Sequence, residues 1–210
     1  MKNYASILKS KTTLSPQHIL EIGSGHGRDA EELALELKVP LSNVHIIEAN
    51  PIAYTNIKKS YPEMNVYNCA VGSESKELTF WVHDYWPEIS SLRRRADNID
   101  SNSTAVTVKG IRGDDFLTQQ GDLTFEACKL DVEGCSYEVL QGLGGKLNHI
   151  KSFHIECENY EIWKGQKDVN EISKFLSSSG YIQLWHITTP SQTDAIWVLK
   201  EFVNTGEMGQ

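Results

Sequence analysis

Residues 18–27, His-Ile-Leu-Glu-Ile-Gly-Ser-Gly-His-Gly, restrict this chain more than any other stretch. The apolar residues up to Ile22 read as a buried strand, and three alternating glycines then turn the chain into an acidic, helix-forming segment. Glycines can adopt positive φ and carry no Cβ, so the backbone can bend sharply there and approach a ligand closely. Strand, glycine turn and helix in that order are the layout of a nucleotide-cofactor site. A dinucleotide fingerprint sets its glycines at the first, third and sixth positions. Here the sixth position is Arg28, and the glycines fall at one, three and five.

One strand later, Val44-His45-Ile46-Ile47 is an apolar run ending at Glu48. In a βαβ unit an acid about 20 residues beyond the glycines lies beside the cofactor ribose and accepts from its hydroxyls. Glu48 comes somewhat late for that, and a helix over 28–38 accounts for the offset; the alternative is a solvated carboxylate at a strand end. Asn50 and Pro51 then make a helix start, Asn as N-cap and Pro in the first turn, leading into a helix over 51–60.

Beyond this point strands and helices alternate, which predicts a parallel sheet covered on both faces. Strands are expected at 18–22, 44–48, 65–69, 125–131 and 152–157, with helices at 135–148 and 168–179. An extra strand is expected at 78–82, another at 104–109, and a capped helical turn at 114–117. The chain closes with strands at 181–187 and 195–200, joined through Thr189-Pro190-Ser191 as an antiparallel hairpin. A short segment precedes the first strand, and no linker divides residues 1–210, so one domain is expected. The polar stretch 84–103 has the profile of a binding loop inserted beside the site.

The formal net charge of −8 argues against a general nucleic-acid binder, because neutralising phosphates needs a basic face. Cys69, Cys128, Cys135 and Cys157 form no Cys-x-x-Cys pair and read as reduced core residues. With no apolar signal core at the N-terminus and no stretch of membrane-spanning length, a cytoplasmic protein is expected. Oligomeric state has no signature in the sequence.

Lys129-Leu130-Asp131-Val132-Glu133-Gly134 places two carboxylates at the carboxyl edge of the sheet, where ligands of open α/β sheets bind. With the glycine turn, Asn68-Cys69-Ala70-Val71-Gly72, Asp114-Asp115-Phe116-Leu117 and His154-Ile155-Glu156-Cys157-Glu158, this series resembles the FkbM family of methyltransferases over roughly 18–160. The resemblance implies a Rossmann-like class I methyltransferase: a mostly parallel seven-stranded sheet, helices on both faces and a C-terminal antiparallel hairpin. It also implies S-adenosylmethionine as donor and a hydroxyl of a sugar, nucleotide-linked sugar or natural product as acceptor. Cofactor contacts are then expected from Glu21, Gly23, Ser24, Gly25, Gly27, Glu48, Ala49, Ala70 and Asp131. The family more often has Asn in place of Gly25, and Ser or Thr in place of Ala30, which puts a close functional subgroup in doubt.

Such chemistry needs the acceptor oxygen aligned with the methyl group, water excluded and a proton removed. Candidate bases are Asp131, Glu133, His154, Glu156 and Glu158; residues 154, 156 and 158 share one strand face, so Asp131 and Glu156 are expected to converge. One of these two is the leading proton acceptor, with His154 second. Asp131, Glu156 and Glu158 would also offer magnesium hard oxygen ligands, lowering the hydroxyl pKa. The plainer alternative has Glu133 capping a helix, Glu156 bonded to backbone amides and Glu158 solvated. In the loop, Tyr85 and Trp86 suit stacking on a sugar ring. Arg93-Arg94-Arg95 suits an anionic acceptor, although a solvated face is the commoner origin of such a run. Two other classes remain: a nicotinamide-dependent oxidoreductase, which the missing sixth glycine disfavours, and a catalytically silent Rossmann-like module, which the intact acids disfavour.

Overall fold

The computed structural model describes residues 1–96 and 102–207. Strands β1 (Ile19–Ile22), β2 (Val44–Ile47) and β3 (Asn65–Tyr67) form one half of the main sheet. The other half contains β7 (Ala127–Leu130), β8 (Ser152–Glu158), β9 (Tyr181–Thr188) and β10 (Gln192–Leu199). Their order, β3-β2-β1-β7-β8-β10-β9, puts the sequence reversal between β1 and β7. The strands from β3 to β8 run parallel, and β10 is antiparallel to both β8 and β9, as the hairpin reading requires.

Both sheet faces are covered because the short strands β1 and β2 are buried at every position. One face holds Ile19, Val44, Ile46 and Ile196 against α1 (Lys2–Lys11), α2 (Arg28–Leu37) and α3 (Pro51–Ser60). The other packs Leu20, Leu130, Phe153 and Ile155 against α4 (Gly113–Gln119), α5 (Ser136–Leu143) and α6 (Val169–Ser178). Local chemistry fixes the helix starts. Asn50 Oδ1 accepts from Ile52 N at 3.0 Å, and Asp168 with Glu171 forms a reciprocal capping box on α6.

Four expectations need correction. Residues 2–11 form a helix, held down by Tyr4, whose hydroxyl lies 2.7 Å from Ser152 Oγ and accepts from Cys128 N at 3.0 Å. The strand expected at 65–69 stops at Tyr67, and β4 (Ala70–Gly72) leaves for a second sheet with β6 (Ser103–Arg112) and β5 (Glu77–His83). The helix expected to reach 148 ends at Leu143, where Gly144 at φ +50 diverts the chain into a 3-10 turn. The last strand starts at Gln192 rather than 195. Among the described residues no helix is long and apolar enough to cross a membrane.

Candidate functional site

Loops leaving the carboxyl ends of β1, β2 and β7 enclose a cavity of about 360 Å³, roofed in part by Phe80, Pro87 and Leu92. The glycine turn forms its floor. Gly23 adopts φ +78 and crosses β7 so closely that a Cβ would lie 1.9 Å from the carbonyl oxygen of Asp131. Only glycine fits such a crossing. Gly25, at φ +63, is different: a Cβ there would meet nothing within 4 Å, so the turn leaves open space above it. Gly27 serves packing instead of the cavity, since a Cβ would press on the Tyr61 ring at 2.8 Å.

Glu48 holds this turn from the adjacent strand. It is 5 % exposed, and its Oε2 accepts from Ser24 N at 3.0 Å and Gly25 N at 2.8 Å while Oε1 accepts from Asn50 N at 2.7 Å. The solvated reading of this carboxylate is therefore excluded. Ser24 Oγ donates to Glu21 Oε2 at 2.5 Å and accepts from Gly27 N at 2.9 Å. Glu21 lies fully buried beneath the turn, with Oε1 lacking a hydrogen-bond partner. Burial lifts its pKa to about 8, against the opposing pull of Lys129 and Ser24. Ala49, Ala70 and Asp131 join Gly23, Ser24, Gly25 and Glu48 around the cavity; Glu21 and Gly27, also expected at the cofactor, do not line it.

Sequence reasoning missed Lys129 and Asp29. Lys129 Nζ lies 2.5 Å from Asp29 Oδ2, 3.1 Å from Asp131 Oδ2 and 3.9 Å from Glu21 Oε1. Burial opposes its charge, yet Asp131, Glu21 and Asp29 outweigh burial and hold the ammonium above its ordinary range. The i, i+2 spacing of Lys129 and Asp131 was the available signal, because it puts both on one strand face.

Beside the cavity, carboxylate oxygens of Asp131, Glu133 and Glu156 lie within 4.8 Å of one another. The expected convergence of Asp131 and Glu156 is present, but Glu133 completes the group in place of Glu158. Glu133 reaches it because the Val-Glu-Gly turn holds it at φ +48. Glu158 is buried rather than solvated, at 4 % exposure. Glu156 accepts from the side-chain amide of Gln192, not from backbone amides. Burial, with Asp131 and Glu156 adding repulsion, raises Glu133 to about 9; burial with Asp131 and Asp194 raises Glu156 to about 8.

His154 does not join them. It lies two residues before Glu156, over Asp194 (3.5 Å) and the Tyr4 ring, and lines a separate cavity with Trp185. Burial and the Lys129 ammonium push its pKa down to about 4.

The loop after β5 is fastened, and its arginines are half-buried against protein groups instead of forming a solvated face. Arg93 bonds Glu138 at 2.6 Å and the Lys164 carbonyl at 2.8 Å, Arg94 lies 4.2 Å over Trp81, and Arg95 lies 5.1 Å over Trp163. Ser91 Oγ donates to the Glu133 carbonyl at 2.6 Å, tying this loop to the Val-Glu-Gly turn. Trp163, 2 % exposed, covers the core against Gly134. Tyr85 and Trp86 remain exposed at the loop tip, with Trp86 stacked on His83. Residues 97–101 of the expected acceptor loop lie outside the described residues.

The sequence profile of the methyltransferase FkbM domain matches residues 21–182, most of the chain. The chain belongs to the FkbM methyltransferase family. Among solved structures, an FkbM methyltransferase from Methylobacillus flagellatus KT superimposes with a TM-score of 0.56 at 15 % identity, covering 88 % of this chain and 44 % of that one. Magnesium protoporphyrin IX methyltransferase from Synechocystis PCC 6803, solved with bound S-adenosylmethionine, gives 0.53 at 11 % identity, covering 94 % and 76 %. A ribosomal protein L11 methylase from Lactobacillus delbrueckii subsp. bulgaricus gives 0.51 at 11 % identity, covering 95 % and 78 %. This FkbM-family chain thus spans less than half the length of the Methylobacillus protein. Among curated protein sequences none is significantly similar to it. The shared fold is that of class I S-adenosylmethionine-dependent methyltransferases.

Proposed function

We propose that this chain transfers a methyl group from S-adenosylmethionine to a hydroxyl of a sugar, nucleotide-linked sugar or natural product. The observation that carries this reading is the cavity bounded by the glycine turn, Glu48 and Asp131 at the carboxyl edge of the sheet. Two features fit the donor: the open space above Gly25, and the buried, unpartnered Oε1 of Glu21. When bound, the donor supplies an electrophilic methyl group. The glycine turn and Glu21 would hold its amino-acid end, Glu48 would use its remaining lone pairs on the ribose hydroxyls, and Ala49 and Ala70 would flank the base. Phe80 and Leu92 line the same space and would shield the reacting atoms from water.

Asp131 is the proposed proton acceptor for the hydroxyl. It lines the cavity and is ion-paired to Lys129 through Oδ2. Proton transfer from an alcohol to a carboxylate runs uphill, so it accompanies formation of the new carbon–oxygen bond. Glu156, raised to about 8, is mostly protonated at neutral pH and ranks behind Asp131 as base. The oxygens of Asp131, Glu133 and Glu156 are hard ligands of the kind magnesium takes, and a bound ion would acidify the hydroxyl.

Labelled S-adenosylmethionine, tested against sugars, nucleotide-linked sugars and hydroxylated natural products, is the experiment. Methylation of one class, lost in Asp131→Asn with the fold intact, supports the reading. Transfer to a nitrogen or carbon acceptor overturns the hydroxyl assignment, and full activity in Asp131→Asn removes that residue from the chemistry. EDTA followed by magnesium in the same assay decides the metal: loss and recovery assigns it, and unchanged rates dismiss it.

A further inference from the structure

Lys129 occupies the centre of a row that crosses three strands. Glu21 is its register partner on β1 and His154 its partner on β8. Above the row, Asp29 reaches down from the first turn of α2. One ammonium, 13 % exposed, therefore gathers carboxylates from three separate elements at 3.9, 2.5 and 3.1 Å. Without Lys129, Asp29 and Asp131 would repel one another at the floor of the cavity, where both contribute surface.

We propose that Lys129 is a positioning residue for the methyl donor: it binds Glu21, Asp29 and Asp131 into one arrangement that receives the donor's amino-acid end. This rests on the donor-binding reading above. Asp29 and Asp131, which line the cavity, make the contacts; the lysine sets where they stand. Glu21 Oε1, at 3.9 Å from Nζ and without a hydrogen bond, is buried beneath the turn, so Asp29 and Asp131 are the acids of the group that face the cavity.

Two ligands separate this role from a structural one. S-adenosylhomocysteine carries the amino-acid end, whereas 5′-methylthioadenosine keeps the adenosine and thioether without it. By calorimetry, Lys129→Met should lower affinity for the first by at least about tenfold, the loss of roughly 1.4 kcal/mol, and leave the second within about twofold. Lys129→Arg should recover most of the loss. Should Lys129→Met not fold, Asp29→Asn removes one arm at a partly exposed position and should lower the ratio of the two affinities about threefold. A folded variant that keeps the wild-type ratio, or weakens both ligands in parallel, overturns the role of Lys129. Wild-type protein that binds neither ligand overturns the donor reading itself, and this proposal with it.

Discussion

Glu48 accepts a hydrogen bond from the backbone N–H of Gly25 at 2.8 Å, so the carboxylate expected at the cofactor ribose is also what shapes the glycine turn. With its bonds to Ser24 and Asn50, it ties β1, β2 and the start of α3 together at one point.

Glu48→Ala should therefore act twice. It leaves three backbone N–H groups without their acceptor, costing at least about 3 kcal/mol of stability, and it would remove the proposed ribose contact. Denaturant melts and S-adenosylhomocysteine calorimetry check the two effects separately. Unchanged affinity in a folded variant would refute the ribose role.

Gly23 and Gly25 should respond differently to alanine. At Gly23 the new Cβ collides with the Asp131 carbonyl, and because that atom is backbone it has little freedom to yield, so Gly23→Ala should fail to fold stably. At Gly25 the cost is the left-handed backbone alone, about 1 kcal/mol. Gly25→Ala should fold and lose donor affinity, because its methyl group enters the space above the turn. Equal melting temperatures for the two variants would contradict this division.

These glycines, Glu48 and Asp131 were legible in sequence because each sits at a strand end, and a short apolar run followed by turn residues or an acid marks such an end locally. Lys129 was visible as a motif letter, but not as a hub, since Asp29 and Glu21 reach it from about a hundred residues away. The helix over Lys2–Lys11 buries Tyr4, Ala5 and Leu8 with Ile7 beside them, a stripe too short to stand out among lysines. Strands β5 and β6 were each readable, while their separation into a second sheet depends on non-local pairing. His154 looked like a candidate base because alternation puts it on the face of Glu156; its distance along the strand takes it out of the cavity.

Buried acids set a pH dependence. Glu21, Glu133 and Glu156 have folded pKa values near 8, 9 and 8, above their ordinary 4.5, so the folded state holds protons that the unfolded state releases. Their contribution is full below pH 4.5 and is lost as pH rises through 8 to 9. His45 and His154, depressed to about 4 by burial, act oppositely: their contribution is present above 6.5 and lost as pH falls toward 4. Between 4.5 and 6.5 the two groups largely offset each other; above 6.5 the acids lead, and the buried thiols, also pushed up by burial, add to the same fall toward pH 9. The melting temperature of the ligand-free protein should fall from pH 6.5 to 9, less steeply in Glu133→Gln. A rising or flat wild-type profile over that window would contradict the burial of these acids.

The most direct measurement is calorimetric titration of the wild-type protein with S-adenosylhomocysteine and, separately, with NAD. The cavity above Gly25, the position of Glu48 and the absence of a sixth-position glycine together predict saturable one-to-one binding of S-adenosylhomocysteine and no heat from NAD. Binding of NAD without S-adenosylhomocysteine, or of neither, would contradict the account.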